Sequence, residues 1–330
     1  MGDVAMTVPV IRAVVMQYPE LKITVVSRPF FKPFFEGIPN VTFFPIDLNE
    51  RHKGFFGLLR LFKDLKKRKV DAFADLHNVM RSKVVRTLFT LNGIPVAAVD
   101  KGREEKKALT KLENKTLKQL TSMFERHVKV FAKLGFPISI QHPVFPPKYS
   151  LETNVTSVTG EKTQKWIGIA PFAQYESKVY PQDLMQEVID KLAVNSDYKV
   201  FLFGGGAKEI AVLEELAKSK ENVIVVAGKI KFQEELHLIS NLDVMLSMDS
   251  GNAHIAAMLG IPVITLWGAT HPFAGFSPFN QPLENAIVSD REQYPYLPTS
   301  VYGNKQVEGY QDAMRTIVPD TVVEKIKSIL

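Results

Sequence analysis

The feature that most constrains this chain is an alternation of short, unbroken apolar runs with helix-length amphipathic stretches. In the first half the runs occupy residues 21–27, 41–46, 70–76 and 94–100. In the second they occupy residues 166–171, 199–204, 222–228, 242–248 and 261–267. A strand that is apolar on both faces has no solvent side, so it belongs to a parallel sheet covered by helices above and below. The pattern predicts an α/β fold, twice over. At 330 residues the chain also exceeds what one hydrophobic core usually organises. Residues 141–163 are rich in Pro, Ser and Thr with weak periodicity and read as a linker. The expected domains are therefore 1–160 and 161–330. Doubly wound sheets bind ligands at the carboxyl ends of their strands, so two such domains are expected to share a cleft, with a nucleotide in one half and an acceptor in the other.

Composition narrows the function classes. No uncharged apolar run approaches the ~20 residues of a membrane-spanning helix. The N-terminus lacks the basic-then-apolar pattern of a secretory signal, and there is no cysteine, so the expected location is the cytoplasm. The net charge of +6 is unevenly divided: residues 1–150 carry 26 Lys and Arg against 13 Asp and Glu, whereas residues 151–330 carry 15 against 22. A basic first half fits an anionic acceptor or the cytoplasmic face of the inner membrane, although solvated helix faces give the same count. Nucleic acid is not expected, because the basic runs lack interleaved stacking aromatics and no binding motif is present.

The most informative segment is residues 242–268. A buried strand runs into Asp249-Ser250-Gly251, then a helix rich in small residues, then Gly260-Ile261-Pro262 and another buried strand. Asp249 or Ser250 is placed to cap the helix, while Gly251 lets a phosphate approach the free backbone N–H groups at its positive end. His254, four residues after Ser250, lies on the same helical face. Capping alone would explain the first two residues, and a structural role would explain the histidine.

The whole string, however, resembles the signature of glycosyltransferase family 9, the ADP-heptose:lipopolysaccharide heptosyltransferases, where it holds the donor's diphosphate and nucleoside. Further segments resemble the family in order and spacing. Ile167 to Pro181 contains a strand, a small-residue turn and Lys178, which the resemblance makes a counter-charge for the leaving diphosphate. Gly204-Gly205-Gly206 with Glu209 resembles the turn that places an acidic residue near the donor ribose, and Gly228 lies in a segment expected to line the base pocket. Met1-Gly2-Asp3 followed by Thr7-Val8-Pro9 resembles the family's first loop and helix, which makes Asp3 the general base. Residues 74–82 resemble the second signature of the N-terminal domain, with His77 and Arg81 as acceptor-binding groups. Residues 104–118 read as a charge-dense acceptor lid entering a helix over 113–134.

The resemblance implies a GT-B architecture of two Rossmann-like domains, an ADP-sugar donor, a lipopolysaccharide core or other lipid-linked anionic acceptor, and inversion at the anomeric carbon. It also implies peripheral contact with the inner membrane. No cofactor or metal is expected, since no Asp-x-Asp pair occurs to hold a divalent ion. A non-hydrolysing sugar-nucleotide epimerase and a catalytically inactive nucleotide- or carbohydrate-binding protein are the alternatives. One further expectation concerns the start. Parallel α/β domains normally open with a strand, yet Gly2-Asp3 already belongs to the first loop, so a strand is expected upstream of Met1, which would then be an internal methionine.

Overall fold

The computed structural model describes residues 1–305 and 307–330. In chain order it begins with α1 (Gly2–Ala5), α2 (Thr7–Gln17), β1 (Ile23–Ser27), β2 (Val41–Pro45), α3 (Gly54–Lys66), β3 (Phe73–Asp75), α4 (Met80–Leu91) and β4 (Val96–Ala98). Three helices follow, α5 (Arg103–Leu109), α6 (Met123–Lys133) and α7 (Thr153–Thr159). The remainder is β5 (Lys165–Ala170), α8 (Gln182–Ala193), β6 (Tyr198–Leu202), α9 (Ala207–Ala217), β7 (Val223–Val225), α10 (Phe232–Ile239), β8 (Val244–Met248), α11 (Gly251–Met258), β9 (Val263–Trp267), β10 (Ala286–Val288) and α12 (Pro319–Ile329). All nine apolar runs contain a strand. Only β10, three residues long, has no counterpart in the apolar pattern.

Backbone contacts divide the chain into two compact units. The first comprises Met1, Asp3–Gly102 and Thr121–Val144; the second comprises Gly2, Arg103–Leu120 and Phe145–Leu330. This differs from a boundary near residue 160. Residues 145–160 go with the second unit because their side chains find partners there. Phe145 meets Phe279 edge-on, Tyr149 stacks on His237, and Val155 of α7 is fully buried. The expected acceptor lid differs too, since Arg103–Leu120 is a strap built into the second unit. Leu109 and Leu120 bury with Ala274 against Phe273 and Phe276, and the Leu120 N–H donates to the Phe273 carbonyl at 2.9 Å. The following helix starts at Met123 rather than at residue 113, because Ser122 and Glu125 form a capping box there.

The second unit is organised by one parallel sheet in the order β10-β9-β8-β5-β6-β7. The chain moves outward from β5 to β7, returns past its starting point, and continues from β8 to β10. That is the doubly wound order, with its topological switch between β5 and β8. Strands β8 and β9 are buried along their whole length, and β5 everywhere but Lys165. Met185, Val188, Ile189 and Leu192 of α8 join Val322, Val323 and Ile326 of α12 in the core cluster that contains Ile167 and Ile169. Each such side chain contributes about 1.5–3 kcal/mol of burial.

In the first unit β1 pairs with β2 and β3 with β4, both parallel, as two separate two-stranded sheets. Residues of α3 and α4, Leu58, Leu61, Leu65, Val85 and Phe89, form a cluster that packs on Val26 and Phe44 of one sheet and on Phe73 and Val96 of the other. A common helix layer therefore holds the two small sheets together.

Candidate functional site

In the second unit, the chemistry-bearing residues collect where the switch point of the sheet predicts. The turn after β5 carries Lys178, and the turn after β8 carries Asp249. The Lys178 Nζ donates to the Asp249 carbonyl oxygen at 2.5 Å and lies 3.2 Å from Asp249 Oδ2. Both side chains are largely withdrawn from water, 12% and 11% exposed. A charge-assisted contact of this kind is stronger away from solvent than at a surface. Backbone at Gly303, with φ of 85°, passes so close that a Cβ there would lie 2.7 Å from Lys178 Cγ. The lysine stem is thus confined by a residue that only glycine suits.

Ser250 occupies the N-cap position of α11 with an extended backbone, φ −146° and ψ 177°. Neither it nor Asp249 caps the helix, contrary to the expectation from sequence. The Ser250 hydroxyl is 3.1 Å from the buried Ser247 hydroxyl, and the Asp249 carboxylate is occupied by Lys178 and by the Thr270 hydroxyl at 2.8 Å. The helix therefore opens at Gly251 with no side-chain cap, which leaves backbone donors at its positive end. His254 is buried within α11. Farther along the same carboxyl edge, the Gly205 N–H donates to Glu209 Oε2 at 2.7 Å and closes the glycine turn before α9. Gly228, with φ of 75° after β7, lies against Ile210, so the loop after β7 sits beside the first turns of α9.

The first unit gathers a second set. Asp3, in the first turn of α1, is 66% exposed, and its Oδ2 lies 3.6 Å from His77 Nε2, itself 57% exposed. The buried Asp75 builds the turn that presents His77: its carboxylate accepts the N–H groups of His77 and Asn78 and the Arg86 guanidinium. Burial lowers the His77 pKa from its ordinary 6.5, Asp3 pulls it back upward, and Lys101 and then Arg81 push it down. Arg81 is exposed in the first turn of α4. Sequence reasoning missed His127 of α6, a buried imidazole whose pKa burial lowers to about 4. Asp3 and His77 both act on it electrostatically, which places it with this set.

The model of glycosyltransferase family 9 (heptosyltransferase) matches residues 58–304, well over half the chain. The chain belongs to glycosyltransferase family 9. It is 28% identical to lipooligosaccharide heptosyltransferase 2 of Haemophilus influenzae, over all of this chain and 96% of that protein. Among solved structures, the family 9 glycosyl transferase of Veillonella parvula superposes with a TM-score of 0.73 at 19% identity, covering 99% of this chain and 94% of that one. The Escherichia coli heptosyltransferase WaaC with ADP gives 0.67 at 20% identity, covering 100% and 97%. At these identities the structures establish the fold, which is GT-B. As a family 9 enzyme the chain is a glycosyltransferase. Two of its site neighbours, Thr270 and Gly303, escaped the sequence reading. The available signal for Thr270 was position, since a polar residue three places beyond a buried parallel strand lies at the ligand-binding edge.

Proposed function

We propose that this family 9 enzyme transfers a heptose from ADP-heptose to a lipopolysaccharide core acceptor, with inversion and without a metal ion. The observation that carries the reading is the meeting of Lys178 and Asp249 at the switch point, beside the uncapped start of α11. An ammonium and a helix N-terminus are both suited to a diphosphate. In the proposed single displacement, the acceptor oxygen attacks the anomeric carbon and the bond from that carbon to the β-phosphate oxygen breaks. ADP leaves with the electron pair, and the hydroxyl proton passes to Asp3. Lys178, Ser250, Gly251 and His254 receive the charge on the departing diphosphate, while Gly205, Glu209 and Gly228 contact the nucleoside. His77 and Arg81 hold anionic groups of the acceptor.

Solved relatives support the donor, since WaaC of Escherichia coli has been solved with ADP and with ADP-2-deoxy-2-fluoro heptose. Contact with an anionic membrane surface is part of the proposal, supported by the basic first half and by the exposed Phe55 and Phe56 at the start of α3. The test is to incubate the enzyme with ADP-heptose, with and without a lipopolysaccharide core acceptor, in the presence of a chelator. ADP release that requires the acceptor, an inverted anomeric configuration in the product, and insensitivity to the chelator are expected. Conversion of ADP-heptose without acceptor, or tight ADP binding with no turnover, would overturn the reading.

A further inference from the structure

We infer that Thr270 is a positioning residue for the departing diphosphate, acting through Asp249 on Lys178. The inference rests on the function proposed above and concerns one atom, Oδ2 of Asp249. That oxygen accepts from the Thr270 hydroxyl at 2.8 Å and lies 3.2 Å from the Lys178 ammonium. The three residues follow three strands that are neighbours in the sheet, β5, β8 and β9. Thr270 is fully buried, three residues past β9, and its hydroxyl donates to the carboxylate that follows β8.

The base that carries this hydroxyl is held on every side. The Ala269 N–H donates to the Ser177 carbonyl at 3.0 Å, and the Ala269 carbonyl accepts from the N–H groups of Thr299 and Ser300. On the other flank, the His271 ring accepts the Phe273 N–H through Nδ1. Burial, with the charges of Arg291 and Lys115 behind it, lowers the His271 pKa to about 4, so the ring remains a neutral acceptor. A hydroxyl fixed in this way fixes the carboxylate it bonds.

The consequence for Lys178 follows from lone-pair arithmetic. A carboxylate buried next to an ammonium tends to chelate it, which would leave fewer ammonium hydrogens for a diphosphate. By occupying Oδ2, Thr270 holds the carboxylate in the orientation seen, in which the shorter of the two lysine contacts goes to the Asp249 backbone carbonyl. Lys178 then keeps a donor for the charge that develops as the donor bond breaks. Without the hydroxyl, Oδ2 is free to close its existing 3.2 Å contact with Lys178, at the expense of the donor left for the diphosphate.

The experiment compares Thr270→Val, which keeps the shape and removes the hydroxyl, with Thr270→Ser, which keeps the hydroxyl. Transfer from ADP-heptose should fall in kcat by roughly tenfold or more in Thr270→Val, the rate equivalent of one charge-assisted hydrogen bond. ADP affinity by calorimetry should fall in the same direction, because ADP carries the full charge of the departed diphosphate, and Thr270→Ser should recover most of both losses. A double-mutant cycle adds an independent reading: in an Asp249→Asn background, Thr270→Val should have little further effect, because the residue acts through that carboxylate. Full kcat in Thr270→Val, equal losses in Val and Ser, or additive losses in the cycle would each overturn the role. Should Thr270→Val fail to fold, the kcat of Thr270→Ser and of Thr270→Ala decides, with loss in Ala and recovery in Ser expected. A parent enzyme that transfers no heptose would instead overturn the underlying function, and that outcome is visible before any variant is made.

Discussion

The two units draw on the same kind of sequence and reach different degrees of completion. In the second unit six parallel strands form one sheet, with β8 and β9 buried from end to end and β5 buried everywhere but Lys165. In the first, four strands form two separate pairs, β1 is half-buried throughout, and β2 is exposed at two of its five positions. The difference teaches how site precision depends on sheet order. Lys178, Asp249 and Thr270 lie in the turns that follow three adjacent, well-buried strands, and Asp249 meets each of the other two within 3.2 Å. Asp3 and His77 come from a four-residue helix and a turn, and they approach only to 3.6 Å with both side chains largely in water.

The largest effects that sharpen this comparison are catalytic. Lys178→Ala should lower kcat by about 10²–10³-fold, as for other groups that stabilise developing negative charge, and should also weaken ADP binding. Asp3→Ala should lower kcat by about 10²–10⁴-fold, in the range of a lost general base, while ADP affinity stays unchanged. Steady-state kinetics with calorimetry of ADP separates the two. The division of labour would be broken by an Asp3→Ala enzyme that loses ADP affinity, or by a Lys178→Ala enzyme that keeps it.

A smaller effect concerns stability. Ile169 in β5 is fully buried, and Ile169→Ala should destabilise the second unit by about 2–5 kcal/mol. Val25 in β1 is only half-buried, and Val25→Ala should stay near 1 kcal/mol. Hydrogen exchange followed strand by strand is the suitable measurement, because two units need not unfold as one transition. In the parent, amides of β5 and β8 should be protected far beyond those of β1 and β2. Equal protection would mean that the split sheet is no weaker than the continuous one.

What could be read in the sequence followed the same divide. The apolar runs located nine strands because strands buried on both faces leave a continuous signature, and the strings around Lys178 and Asp249 marked the carboxyl edge of that sheet. The strap at Arg103–Leu120 was illegible for a physical reason. Its charged residues dominate the local pattern, while Leu109 and Leu120 bury with Ala274, Phe273 and Phe276, more than 150 residues away. Lys115 adds to the tie by donating to the carbonyls of Tyr296, at 2.5 Å, and Pro298, at 2.7 Å, a contact that no local spacing reveals. The Ser122 and Glu125 pair, in contrast, was legible as a Ser-x-x-Glu capping box and would have set the start of α6 better than charge density did. Ser250 shows the opposite error. Its spacing predicts a cap, but a buried Ser247 hydroxyl three residues earlier competes for it, and sequence spacing carries no information about which partner wins.

The smallest predicted effect is pH-dependent and tests the comparison from the side of the first unit. Burial is the main reason the His127 pKa falls to about 4, with the backbone of Leu76 and of Met6 and the charge of Asp3 acting weakly in the other direction. The unfolded chain keeps the ordinary value of 6.5. Above pH 6.5 both states hold the ring neutral, and His127 adds no pH dependence. As the pH falls from 6.5 toward 4, the unfolded chain takes up a proton that the folded unit refuses, so stability is lost across that window. By pH 5 the loss is on the order of 2 kcal/mol, given 1.36 kcal/mol for each pKa unit traversed. His127→Gln removes the titration and retains a polar side chain. Its exchange protection in α6 and in the Asp3 to Met6 segment should therefore decline less between pH 7 and pH 5 than in the parent. Strands of the second unit, where His271 titrates near the same pH, should lose protection equally in both proteins. An identical decline in α6 with and without the imidazole would show that the acid sensitivity of the first unit comes from other groups than His127.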